Sequence, residues 1–125
     1  GSDQTQSIFK TVLERNVGIV TIKPFFGGTL FESYGKVSFP VMGVGSKTEN
    51  DVARLTIQCI LANKAITATV PGLSTPYEVE NAARASYTRP LGATAAEKEW
   101  LMQITDERWA ALPPEYHWLR DWEVV

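Results

Sequence analysis

The run Ile19-Val20-Thr21-Ile22 is apolar or β-branched on both of its faces. A second such run, Ala65-Ile66-Thr67-Ala68-Thr69-Val70, follows it after an amphipathic stretch. Segments of that kind suit strands covered from both sides, as in a parallel sheet, better than half-solvated antiparallel ones. Strand, helix, strand and helix in this order predict an α/β fold built of parallel β-α units with right-handed crossovers. The chain has 125 residues, enough for one domain and too few for two. Two strands are also too few to make a stable sheet by themselves.

The helices can be placed by periodicity and caps. Gln6 to Arg15 carries Ile8, Phe9, Val12 and Leu13 at helical spacing, and Asn16 can end it in a left-handed cap. The stretch from Pro24 to Gly45 reads as a long glycine-bearing loop, and loops of that length are often functional. Ser46 to Asp51 supplies N-cap chemistry for a helix whose stripe is Val52, Leu55, Cys59 and Ile60, bordered by Ile57 and Leu61. Ser74 or Thr75 caps the next helix, with Pro76 in its first turn and Val79, Ala82, Ala83 and Ala85 expected inward. Thr94 and Glu97 have capping-box spacing and open a helix to about Trp109, after which Pro113-Pro114 and an aromatic tail close the chain. Gly1-Ser2 reads as a cloning remnant, so residues 1–6 are set aside as a leader and 7–125 are taken as the folded segment.

Composition excludes several function classes. A formal net charge of -2 leaves no basic excess for a polyphosphate, so no nucleic-acid partner is expected. A single Cys excludes an intramolecular disulfide, an iron–sulfur cluster and a cysteine zinc site. No stretch reaches the roughly 18 apolar residues of a membrane span, and no signal-peptide pattern is visible. A cytoplasmic setting is expected.

Two segments could carry chemistry. Lys23-Pro24-Phe25-Phe26-Gly27-Gly28 follows the first strand, and Pro71-Gly72-Leu73-Ser74-Thr75-Pro76 follows the second. In parallel α/β folds ligands collect at the carboxyl ends of strands, so both segments should open onto one face. Paired glycines let a backbone approach a ligand closely, and a helix N-terminus favours an anion. The plainer uses of the same residues are a solvated strand end, a chain reversal and a helix cap. Neither nucleotide fingerprint, GxGxxG or GxxxxGK[ST], is present.

The segments "GIVTIKPFFGGTLF", "ITATVPGLSTPYEVENA" and "TAAEKEWL", in this order and spacing, resemble the C-terminal part of an aldo/keto reductase. The likeness is to the subgroup with KP-x-x-G-G after the seventh barrel strand and PG-x-S-T after the eighth, and the closing "LPPEYHWLRDWEVV" fits its tails. That resemblance implies the last two strands and closing helices of a (β/α)8 barrel, an architecture of about 250 residues, here incomplete. It implies a nicotinamide dinucleotide, NAD(P)(H), bound by the complete protein together with a small carbonyl substrate. Lys23, Pro24, Phe25, Gly27 and Leu30 would flank the nicotinamide and pyrophosphate. Gly72, Leu73, Ser74, Thr75, Glu78 and Asn81 would hold the adenosine phosphate.

The departures are specific. Ile22 or Lys23 stands nearest the place of a Tyr that often stacks on the nicotinamide. Gly72 and Glu78 fall near the places of a Lys and an Arg that grip a 2′-phosphate. The adenine-side Asn aligns nearer Ala82 than Asn81. The catalytic Asp, Tyr, Lys and His of the family belong to earlier strands, so no catalytic residue and no metal ligand is assigned here. Tyr34 has no Lys or His placed beside it, and His117 reads as a packing or surface residue. These residues alone are expected to hold no cofactor and to have no reductase activity.

A second reading is a non-enzymatic β-α module that associates with itself or with a protein partner, since two parallel strands leave edges and a half-covered core. The aromatics Trp100, Trp109, Tyr116, Trp118 and Trp122, all late in the chain, either pack on its own helices or form such a patch. Cys59 is expected to be an inert buried thiol.

Overall fold

Each long helix begins where the sequence offers a cap. In the computed structural model, which describes residues 8–39, 47–87 and 93–116, α1 spans Ile8–Glu14 and is followed by β1, Val20–Ile22. Next come a 3-10 turn at Phe26–Gly28, α2 (Leu30–Tyr34), α3 (Glu49–Ala62) and β2 (Ala68–Val70). The chain continues through α4 (Pro76–Tyr87), α5 (Ala95–Ala111) and a 3-10 turn at Pro114–Tyr116. Asn16 ends α1 at φ 54°, with the Val17 N–H donating to the Val12 carbonyl at 2.9 Å. At the start of α3 the Asp51 carboxylate accepts the Thr48 N–H at 2.8 Å. At the start of α5 Thr94 Oγ1 accepts the Glu97 N–H at 3.2 Å and Glu97 Oε1 accepts the Thr94 N–H at 3.1 Å. Both are capping boxes, and both place carboxylates at the positive end of a helix dipole.

The strands pair in parallel, with Val20 opposite Ala68, Thr21 opposite Thr69 and Ile22 opposite Val70. The α/β class and the parallel pairing agree with the sequence reading. The sheet holds two strands among the described residues. Its second strand is shorter than expected. Asn63 draws the chain into a turn, its Oδ1 accepting the Ala65 N–H at 3.0 Å and its carbonyl the Ile66 N–H at 3.0 Å.

The core lies among the helices. Leu30, Val52, Leu55, Ala85 and Ile104 are completely buried, as is nearly all of Trp100. Trp100 donates its Nε1–H to the Val37 carbonyl at 3.2 Å and meets the rings of Tyr34 and Phe39 edge-on. Beside it, Arg54 Nη2 contacts Glu97 Oε2 at 3.0 Å and Asp51 Oδ1 at 3.4 Å, and Lys47 Nζ lies 3.5 Å from Glu97 Oε2. Burial works to raise the Glu97 carboxyl, but the bonds from Arg54 and Thr94 outweigh it and hold the group below the usual carboxylate range.

Four expectations need correction. The stretch after Pro24 is no bare loop: it holds the 3-10 turn and α2, whose Leu30 and Ser33 are buried. The strands are not covered on both faces either, because Val20, Ile22 and Val70 are 62, 67 and 54% exposed. Neighbouring strand residues point to opposite faces; here Thr21 and Thr69 turn inward, with their Oγ1 atoms enclosed and unpartnered among the described residues. On α4, Ala85 is buried but Val79 is exposed, because that helix meets α3 along its alanine side. Cys59 is half-buried rather than buried, and burial pushes its thiol up, with Lys98 opposing. Trp100 and Trp109 pack internally, Trp109 against the Phe26 ring, whereas His117, Trp118 and Trp122 lie outside the described residues.

Candidate functional site

Parallel pairing puts the carboxyl ends of β1 and β2 on one side of the sheet, and the chain leaving each strand borders one cavity of about 480 Å³. Cavities of that size accept small molecules and cofactors. From the segment after β1 the lining includes Lys23, Pro24, Phe25, Gly27, Gly28 and Phe31. From the segment after β2 and from α4 it includes Gly72, Leu73, Ser74, Glu78, Asn81 and Ala82. The remaining wall is Glu49, Asn50, Ala53 and Ile57 of α3. Two residues expected at the site lie outside this lining. Leu30 is completely buried in the core, and the Thr75 Oγ1 accepts the Glu78 N–H at 3.1 Å, capping α4.

The wall after β1 is a strained turn. Lys23 and Phe26 have φ of 53° each, and Gly27 and Gly28 have φ of 66° and 89°. Positive φ is costly for bulky residues, and such strain tends to cluster at functional sites. The turn is held by the Phe26 N–H on the Lys23 carbonyl at 3.1 Å and by the Thr29 hydroxyl on the Phe26 carbonyl at 2.8 Å. A Cβ built on Gly27 or Gly28 would meet nothing within 4 Å, so the main chain here is open to a ligand.

The opposite rim is polar. Glu78 Oε2 accepts the Ser74 N–H at 2.6 Å, so a carboxylate of the helix itself sits at the α4 N-terminus. Asn81 donates its Nδ2–H to the Asn50 carbonyl at 2.9 Å, locking the N-terminal turn of α3 to α4. Among the lining residues Lys23 is the cation, and Glu49 and Glu78 are the anions. The α3 wall was missed in the sequence. Glu49 and Asn50 read as capping residues, and only the packing of α3 on α4 places them in the wall of the cavity. Among the described residues, no group of His, Cys, Asp and Glu side chains could hold a metal ion, and no helix is long and apolar enough to cross a membrane. Compared with known protein families, curated proteins and solved structures, the chain matches none.

Proposed function

We propose that this chain is the C-terminal portion of an aldo/keto reductase-like oxidoreductase and supplies part of its nicotinamide-dinucleotide-binding wall. The observation that carries this reading is the single cavity shared by the segments after both strands. Lys23 to Gly28 and Gly72 to Asn81 are far apart in sequence yet border one space at the carboxyl ends of parallel strands. Nucleotide sites of α/β folds occupy that position.

The donor set fits such a group. The Gly27-Gly28 turn leaves main chain open to close approach, Lys23 offers a positive charge to a pyrophosphate, and Ser74 and Asn81 offer polar contacts to a nucleoside. Leu73, Phe25 and Ile57 give the cavity its apolar floor. When bound, the dinucleotide supplies the hydride for reducing a small carbonyl compound. These residues bind and orient it; the proton donor would come from earlier strands of a complete barrel, so the isolated chain is expected to reduce nothing. The reading carries a cytoplasmic setting with it. Titrating NADH and NADPH into the chain, and into the protein expressed with any coding sequence that precedes Gly1, tests it by nucleotide fluorescence. Binding in the longer protein is expected, and a longer protein that binds neither ends the proposal.

A second reading, self-association or docking of a protein partner through the sheet, has its own observation. Val20, Ile22 and Val70 stand in solvent while Thr21 and Thr69 face inward. Light scattering across a range of concentrations tests it, and a strictly monomeric protein that unfolds cooperatively counts against it. The two readings are compatible, one for the complete protein and one for the isolated chain.

A further inference from the structure

We infer that β1 pairs along its outer edge with β1 of a second copy, antiparallel, giving a four-stranded sheet in the order β2-β1-β1′-β2′. This rests on the self-association reading above and deepens it, naming the partner and the edge. The Ile19 carbonyl accepts the Thr67 and Ala68 N–H groups at 2.9 and 3.3 Å, and the Ile19 N–H donates to Thr67 Oγ1 at 3.2 Å. Both main-chain groups of Ile19 therefore point toward β2. Main-chain direction alternates along a strand, so Thr21 also points to β2, while Val20 and Ile22 aim their N–H and C=O groups at the opposite edge. Among the described residues no strand pairs with that edge. β2 is better covered, with α3 packed on it and α4 across a groove of about 330 Å³, whereas β1 makes its extensive contact with β2 alone.

A two-fold axis through Thr21 sets Val20 opposite the partner's Ile22, and Ile22 opposite the partner's Val20. Opposed residues that both aim at the shared edge exchange N–H and C=O bonds, so this register satisfies every outward group of β1. It also brings the branched side chains of the outer face into cross-strand contact. A second copy suits the edge because nothing in it repels its own image. Val17 to Ile22 carries no charged residue and no Pro, the residues that ordinarily protect an edge. The nearest charge, Lys23, stands about 13 Å along the strands from the partner's Lys23, beyond the screening length at physiological salt.

The test combines sedimentation equilibrium with amide hydrogen exchange at Val20, Thr21 and Ile22, read by nitrogen-edited NMR. The chain is raised from about 10 μM to about 1 mM, since a small edge interface is a weak one. The mass is expected to double and stop there, because one two-fold axis uses both β1 edges. Exchange at Val20 and Ile22 is expected to slow about tenfold, and exchange at Thr21, already directed to β2, to change less. Ile22→Pro removes an outward N–H without touching the bonds between β1 and β2, and should weaken the dimer about tenfold or more. A chain that gains mass while Val20 and Ile22 exchange unchanged overturns the inference and leaves self-association standing. So does an Ile22→Pro variant that folds and associates like the wild type. A chain that stays monomeric throughout overturns both. The wild-type exchange comparison stands whether or not the variant folds.

Discussion

The helical layer and the two-stranded sheet of this chain are finished to different degrees. Around α3 every large apolar side chain meets another: Leu30, Val52, Leu55, Trp100 and Ile104 are buried, and the charged groups between α3 and α5 are paired. The sheet holds its threonines inward and its branched apolar residues outward. Burial of apolar area is the main favourable term in folding, so stability should reside in the helices and recognition in the sheet and its carboxyl end.

That contrast can be broken most directly at Trp100. Trp100→Ala removes a fully buried ring and its bond to Val37, and should cost about 3–5 kcal/mol, read by urea denaturation. A loss under about 1 kcal/mol would show that the helical core is not the stable half.

Glu97 comes next. Glu97→Ala leaves Arg54 and Lys47 without their shared carboxylate and removes the α5 capping box, for an expected loss of about 2–3 kcal/mol. Because the folded Glu97 is held below its unfolded range, its contribution is complete above about pH 4.3 and fades as the pH falls through the folded value. Stability of the wild type should therefore drop more steeply below that pH than that of the variant.

Gly28→Ala, in a turn with φ of 89°, should cost about 1 kcal/mol through backbone strain and weaken any nucleotide bound against that turn more than it weakens the fold. Thermal melts beside a binding titration separate the two effects. The smallest effect on stability is expected for Val20→Thr with Ile22→Thr, within about 0.5 kcal/mol because both side chains are exposed. The same pair should abolish any concentration-dependent increase in mass. A large loss of stability in the monomer would mean that the outer face of the sheet is covered after all.

Much of the fold was legible locally. The capping box of Thr94 and Glu97, the cap offered by Ser74 or Thr75, the run of capping residues from Ser46 to Asp51 and the left-handed stop at Asn16 are all local features, so they could be read before any packing was known; the structure settled the caps on Thr48 and Thr75. α2 was not legible, because its five residues make little more than one turn and give no periodicity. The segments after both strands were legible as one face, since parallel strands must send their carboxyl ends the same way. The α3 wall was not, because Glu49 and Asn50 become cavity residues only when α3 lies against α4.

Local chemistry thus set the order of strands and helices, the helix starts and the two glycine-bearing segments. Only the tertiary structure decided which face of each strand met water. The runs Ile19 to Ile22 and Ala65 to Val70 carry enough apolar surface for either face, and a two-stranded sheet with helices packed beside it can cover only part of that surface. Tertiary packing also decided that Leu30 belongs to the core and not to the cavity. That depends on contacts that arise when the chain closes on itself, and no local pattern encodes it.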